Sequence, residues 1–131
     1  MVDAVEALTS EQTIELFEKF GVFTKAELES RKEIKYEAYS KAINIEAKTM
    51  IDVASKQIIP AVIKYTRQLA DSINAVVAAG VLEVEVQTEL LRETSALLKK
   101  TKDALNELKK VTEEALTKEE GKESAMFYHE K

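Results

Sequence analysis

The chain has no cysteine and no tryptophan, one proline (Pro60), one histidine (His129) and three glycines in 131 residues. Without cysteine there are no disulfides, thiolate metal sites or thiol nucleophiles. With one histidine, an HExxH zinc helix is excluded, and a Ser-His-Asp triad would rest on His129 alone. So few turn formers do not suit an all-β chain; they suit a few long helices. No apolar run approaches a membrane span. Met1-Val2-Asp3 lacks the basic and apolar regions of a signal peptide. The expectation is a cytoplasmic protein with no membrane partner. Positive charge is also scarce: 19 Lys+Arg against 24 Asp+Glu give a net charge of −5, mixed in sign along the chain. Nucleic-acid binding needs a basic face, so nucleic acid is not an expected partner. There is no Asp-x-Asp-x-Asp-Gly calcium loop and no glycine-rich phosphate loop. Nothing assembles a nucleophile, a base and an orienting group. The chain by itself is expected to be non-catalytic, with no metal or cofactor residues.

What is present is apolar sequence, 45% of the chain, at helical spacing. Tyr36, Tyr39, Ile43, Ala47, Met50, Ala54, Ile58, Val62, Tyr65, Leu69, Ile73 and Val76 recur at intervals of 3 or 4, the α-helical period. The stripe runs through Pro60, which predicts a kinked continuous helix rather than a loop. A second line, Val86, Leu90, Leu97, Ala104, Leu108, Val111 and Ala115, has heptad-like spacing with Thr94 and Thr101 in its gaps. Leu91, Leu98, Leu105 and Leu116 flank it. Each glycine follows an apolar-polar run and reads as a helix closer. Thr9 with Gln12, and Thr24 with Glu27, read as capping boxes.

The expected fold is therefore all-α, in one domain. It is an elongated helical bundle with a short helix at about 10–20 and a long one at about 25–79 kinked at Pro60. Further helices follow at about 83–118 and 122–131. The short turn at Gly80 folds the third helix back on the second as an antiparallel coiled-coil-like hairpin. Ile34, Ala38, Ala42 and Ile45 mark a second apolar face on the long helix. A helix apolar on two sides needs two things to pack against. Leu16, Phe17 and Phe20 of the short helix are expected to cover one, and a body outside this chain the other.

The runs Ala42–Ala54 and Gln57–Val62 resemble the C-terminal region of type III glutamine synthetases. So do Leu8–Glu11, Leu16–Phe23, Glu27–Ile34 and Met126–Tyr128. Lys32 and Lys48 depart from the family pattern, which has an aromatic and an apolar residue there. The resemblance implies a parent enzyme that is an ATP-dependent glutamate–ammonia ligase of nitrogen metabolism. It also implies divalent Mg or Mn and a large oligomeric ring in the cytoplasm. None of the family's metal or nucleotide residues has a counterpart here. The chain then reads as a C-terminal part of that enzyme, cut at both ends. Its expected partners are its own catalytic domain and neighbouring subunits. Arg31, Glu33, Tyr36, Asn44, Glu46, Met50 and Asp52 form the expected docking set. The alternative is a free-standing helical adaptor or scaffold module.

Overall fold

In the computed structural model, residues 2–131 are described, and they form helices and turns with no strand among them. The elements are α1 (Val2–Val5), a 3₁₀ turn (Glu6–Thr9), α2 (Glu11–Lys19), α3 (Lys25–Val53), a π turn (Ala54–Ile58), α4 (Ile59–Ala78), α5 (Glu85–Ala115) and α6 (Lys122–Glu130). The four helices expected from the sequence are there, with ends moved by no more than three residues. α1 and the 3₁₀ turn were not anticipated.

The start and stop signals explain these bounds. Thr24 and Glu27 form the reciprocal capping box: Thr24 N–H donates to Glu27 Oε2 at 2.8 Å, and Glu27 N–H to Thr24 Oγ1 at 3.3 Å. At α2 the expected box on Thr9 and Gln12 is displaced by one residue. Ser10 is the cap, its Oγ accepting from Thr13 N–H at 3.3 Å. The 3₁₀ turn holds Thr9, whose hydroxyl donates back to Glu6 C=O. α2 and α4 end as expected. Gly80 N–H donates to Val77 C=O and Val81 N–H to Val76 C=O, with Gly80 at φ +85°. This is the Schellman pattern, which needs a left-handed residue. Gly121 does not close α5. That helix ends at Ala115 by tightening into 3₁₀-type bonds from Leu116, Thr117 and Lys118. Gly121, at φ +93°, instead starts α6.

The helical path runs unbroken from Lys25 to Ala78. Proline has no N–H to bond the carbonyl four residues back, and its ring crowds that carbonyl. The chain widens into one π turn just before Pro60, with Ile59 N–H donating to Ala54 C=O. A π turn holds one more residue than an α turn, yet the stripe keeps its phase beyond it: Val62, Leu69, Ile73 and Val76 are half-buried as expected. Ile59 and Thr66 are half-buried, whereas Ile58 and Tyr65, expected in the stripe, are exposed. Met50 is exposed as well, and Ile51 takes its place. On α5 both expected lines contribute to the core, the flanking one in its first half and the heptad-like one toward its end. Leu91, Thr94, Leu98, Leu105, Leu108, Val111, Thr112 and Ala115 turn inward, while Val86, Leu90, Leu97, Ala104 and Leu116 are exposed.

The chain clusters into two compact units. One comprises the residues up to Ala47 with Val111–Lys131, the other Lys48–Lys110. In the first, Val2, Val5, Tyr36 and Ala125 form a buried cluster, packed by Leu8, Tyr39 and Met126. The cover of α3 thus comes from α1, the 3₁₀ turn and α6. The expectation that α2 would supply it is corrected: Leu16 and Phe20 are exposed, and Phe17 packs locally on Phe23 with ring centroids 5.6 Å apart. The second unit is a hairpin of α4 and α5 joined by a six-residue turn. Its buried side chains are Ala54 and Leu105.

Candidate docking site

The N-terminal segment is held to α3 and α6 by one carboxylate. Glu6 Oε1 accepts from Tyr36 OH at 2.7 Å and pairs with Lys122 Nζ at 2.7 Å. Glu6 Oε2 accepts from Lys32 Nζ at 3.2 Å. These donors, Lys122 foremost, hold the Glu6 carboxyl down at about 2. Burial, with the bond to Glu6, pushes the Tyr36 hydroxyl up to about 12. Tyr36 is fully buried. Lys32, the position at which the sequence departs from an aromatic, also donates to Thr9 Oγ1 at 3.2 Å.

Beside this clamp, α3, α6 and the segment between α5 and α6 enclose a groove of about 310 Å³. Ser40 and Asn44 line its α3 wall, with Lys41 and Ile45 at the edge; Leu116 and Tyr128 stand opposite. Asn44 Nδ2 donates to Tyr128 OH across it. Ser40 is buried and its hydroxyl has no hydrogen-bond partner. Small residues let the backbones approach here: Ala115, Gly121 and Ala125 are all buried. A Cβ on Gly121 would lie 2.7 Å from Glu33 Oε2. Around α3 from the groove runs the second apolar face. Ile34 is 58% and Ile45 65% exposed, and Ala38 and Ala42 between them are exposed too. Among the described residues, no element of this unit covers that face.

The expected docking residues fall into two kinds of place. Tyr36 and Asn44 are engaged inside the unit, with Glu6 and Tyr128. Arg31 is exposed, its guanidinium 4.1 Å from the centroid of the Phe23 ring. Glu33 is exposed beside Gly121. Glu46 and Met50 are exposed, and Asp52 is ion-paired with Lys56 one turn on. Glu6, Lys122 and Tyr128 were not among the expected site residues. Val2, Val5 and Leu8 at intervals of three were the one hint that the N-terminus packs; the partners of Glu6 lie 26 residues or more away in sequence. Among the described residues, no three His, Asp or Glu side chains are grouped to hold a metal ion. Among the described residues, no helix is long and apolar enough to cross a membrane.

Residues 1–77, more than half of the chain and all of α1–α3 with most of α4, match the family described as glutamine synthetase C-terminal domain. The chain belongs to that family. Among curated proteins it is 36% identical over 74 residues to the type-3 glutamine synthetase of Dictyostelium discoideum. It is 38% identical over 71 residues to a glutamine synthetase of Butyrivibrio fibrisolvens. These alignments cover 56% and 54% of this chain and 10% of each relative. The chain thus spans about a tenth of the length of the curated relatives it matches. No solved structure gives a significant match. The matched segment contains Glu6, Lys32, Tyr36 and Asn44, and the exposed face from Ile34 to Ile45. All of α5 and α6 lie beyond it.

Proposed function

We propose that this chain is the helical C-terminal part of an ATP-dependent glutamate–ammonia ligase, and that its task there is docking rather than catalysis. The observation that carries the reading is the uncovered apolar face Ile34–Ala38–Ala42–Ile45 on a helix whose opposite side is already packed. Monomeric proteins rarely leave contiguous apolar surface of this kind without use. Membership of the glutamine synthetase C-terminal domain family supports the catalytic domain of the same enzyme as the body that covers it. Exposed Arg31 and Glu33 flank the face and provide its polar rim; Tyr36 and Asn44 serve it indirectly, by fixing the angle of α3 against α1 and α6. Neighbouring subunits of an oligomer are the second expected partner, and the cytoplasm the expected compartment.

ATP and Mg or Mn belong to the parent enzyme in this reading. The residues here do not fit them: the described residues include no cluster of metal-ligating side chains. No step of the ligase reaction is therefore assigned to this chain.

The test is the full-length enzyme carrying Ile34→Lys and Ile45→Lys. Both side chains are exposed, so the fold of the C-terminal part should persist. Assembly, read by sedimentation, and glutamine synthesis should both fall. Full assembly and activity in the double variant would remove the docking role. A free-standing adaptor would instead bind no glutamine synthetase catalytic domain when the two are mixed.

A further inference from the structure

On α3, two cations stand without a counter-charge. Arg31 and Lys35 are one turn apart and exposed, and neither is in an ion pair among the described residues. Like charges at this spacing repel. The nearby carboxylates are spent or turned away. Glu27, one turn before Arg31, accepts from Thr24 N–H at 2.8 Å and from the Thr24 hydroxyl at 2.9 Å. Glu33 is on another side of the helix, against Gly121. The residues three and four away from Lys35 are Arg31, Lys32, Ala38 and Tyr39, with no acid among them. Lys32 is itself engaged with Glu6.

Arg31 is also held in place. Its guanidinium lies 4.1 Å from the centroid of the Phe23 ring, and Phe23 packs on Phe17. An arginine stacked on a ring keeps the donors at its edge free, and a carboxylate matches that fork with two parallel bonds. Both cations border the apolar face of α3, Arg31 one turn before Ile34 and Lys35 one turn before Ala38. The charge along the helix agrees. One turn from Ile34, Ala38, Ala42 or Ile45 stand Arg31, Lys35, Lys41 and Lys48 against Glu37 and Glu46. Lys41 and Glu37 pair with each other, and Glu46 is about 16 Å along the helix from Lys35. The border of the face is thus net positive in a chain whose net charge is −5.

We propose that Arg31 and Lys35 together take an aspartate or glutamate side chain of the catalytic domain of the same enzyme, and so set the register in which α3 docks. The pairing rests on the docking of the Ile34–Ile45 face and names the chemistry that meets it. The two parts divide the work. The apolar residues supply area without direction. A carboxylate between the two cations relieves their repulsion, and the arginine fork accepts it in one orientation.

Carbodiimide, which joins an amine to a carboxylate already in contact with it, tests the pairing in the full-length enzyme. Lys35 should form an amide with an Asp or Glu of the catalytic domain, located by mass spectrometry of the peptides. Crosslinks from Lys35 confined to residues 1–131, or none, would overturn the proposal. Charge reversal is the second measurement. Arg31→Glu with Lys35→Glu should leave the helix content of the 131-residue chain unchanged and weaken assembly of the full-length enzyme about ten-fold by sedimentation. Arg31→Lys keeps the charge, loses the fork and should weaken it about three-fold. Lost assembly in Ile34→Lys with Ile45→Lys, beside native assembly in the charge-reversed enzyme, would overturn the pairing and leave the docking standing. Native assembly in both would remove the two together. A charge-reversed chain that loses helix would place the cations in the fold of this chain and overturn the pairing equally.

Discussion

Glu6 shows how one residue can hold a terminus in place. Its carboxylate takes three donors from two helices, and each favours the ionised form. The stability it contributes is fully present above its unfolded value of 4.5 and is lost as pH falls through about 2. Tyr36 acts at the other end of the scale. Its raised hydroxyl favours folding below 10 and loses that contribution as pH rises through about 12. Because Glu6 is 41% exposed, water screens part of the effect. Urea midpoints measured at pH 7 and pH 3 should differ in the native chain and differ less in Glu6→Gln. Equal pH dependence in the two would remove Glu6 from this role. Ser40 predicts the opposite kind of result. Its hydroxyl is buried without a partner, so Ser40→Ala removes a desolvation cost of about 1 kcal/mol. Thermal unfolding should show the variant as stable as the native chain or more so; a clear loss would mean that the hydroxyl has a partner.

At the scale of elements, two glycines with positive φ differ in what surrounds them. Gly80 closes α4 with open space around its Cα. An added Cβ there meets only backbone strain, about 1–2 kcal/mol. Gly121 starts α6 with Glu33 against the same position. The strain there, about 1–3 kcal/mol, is compounded by displacement of that side chain. Gly121→Ala should therefore destabilise more than Gly80→Ala, and Gly80→Asn should recover part of the Gly80→Ala loss because asparagine tolerates the left-handed region. Denaturant midpoints for the three variants check the order. The π turn is the second lesson of this scale. One proline, which cannot bond the carbonyl four residues back, is absorbed by a single widened turn, and the half-buried line continues beyond it through Val62, Leu69, Ile73 and Val76.

Across the whole molecule the two units are unequally packed. The unit formed by the ends of the chain buries Val2, Val5, Leu28, Tyr36, Ala115 and Ala125; the hairpin buries Ala54 and Leu105. Regions with few buried apolar contacts open at lower free energy. In native-state hydrogen exchange of dilute chain, amides of α5 between Gln87 and Leu105 should therefore exchange before those around Tyr36. Uniform protection across both units at low concentration would contradict this ordering.

The sequence by itself determined the helices, their caps at Thr24 and their closers at Gly21 and Gly80, because these are local. A capping box spans four residues, and a left-handed glycine answers to its own turn. The family was legible too, in the runs from Leu8 to Val62. Tertiary structure alone decided which apolar line is buried. On α5 the lines through Leu90–Leu97 and Leu91–Leu98 have the same period and differ by one position, so periodicity could not choose between them. Packing against α4 made that choice. The same holds at the N-terminus. Val2 and Val5 are an unremarkable pair in sequence, and they become core because α6, more than a hundred residues on, brings Ala125 to them. Contacts between residues so far apart carry no local signature, and there the bonds of Glu6 to Tyr36 and of Asn44 to Tyr128 were formed.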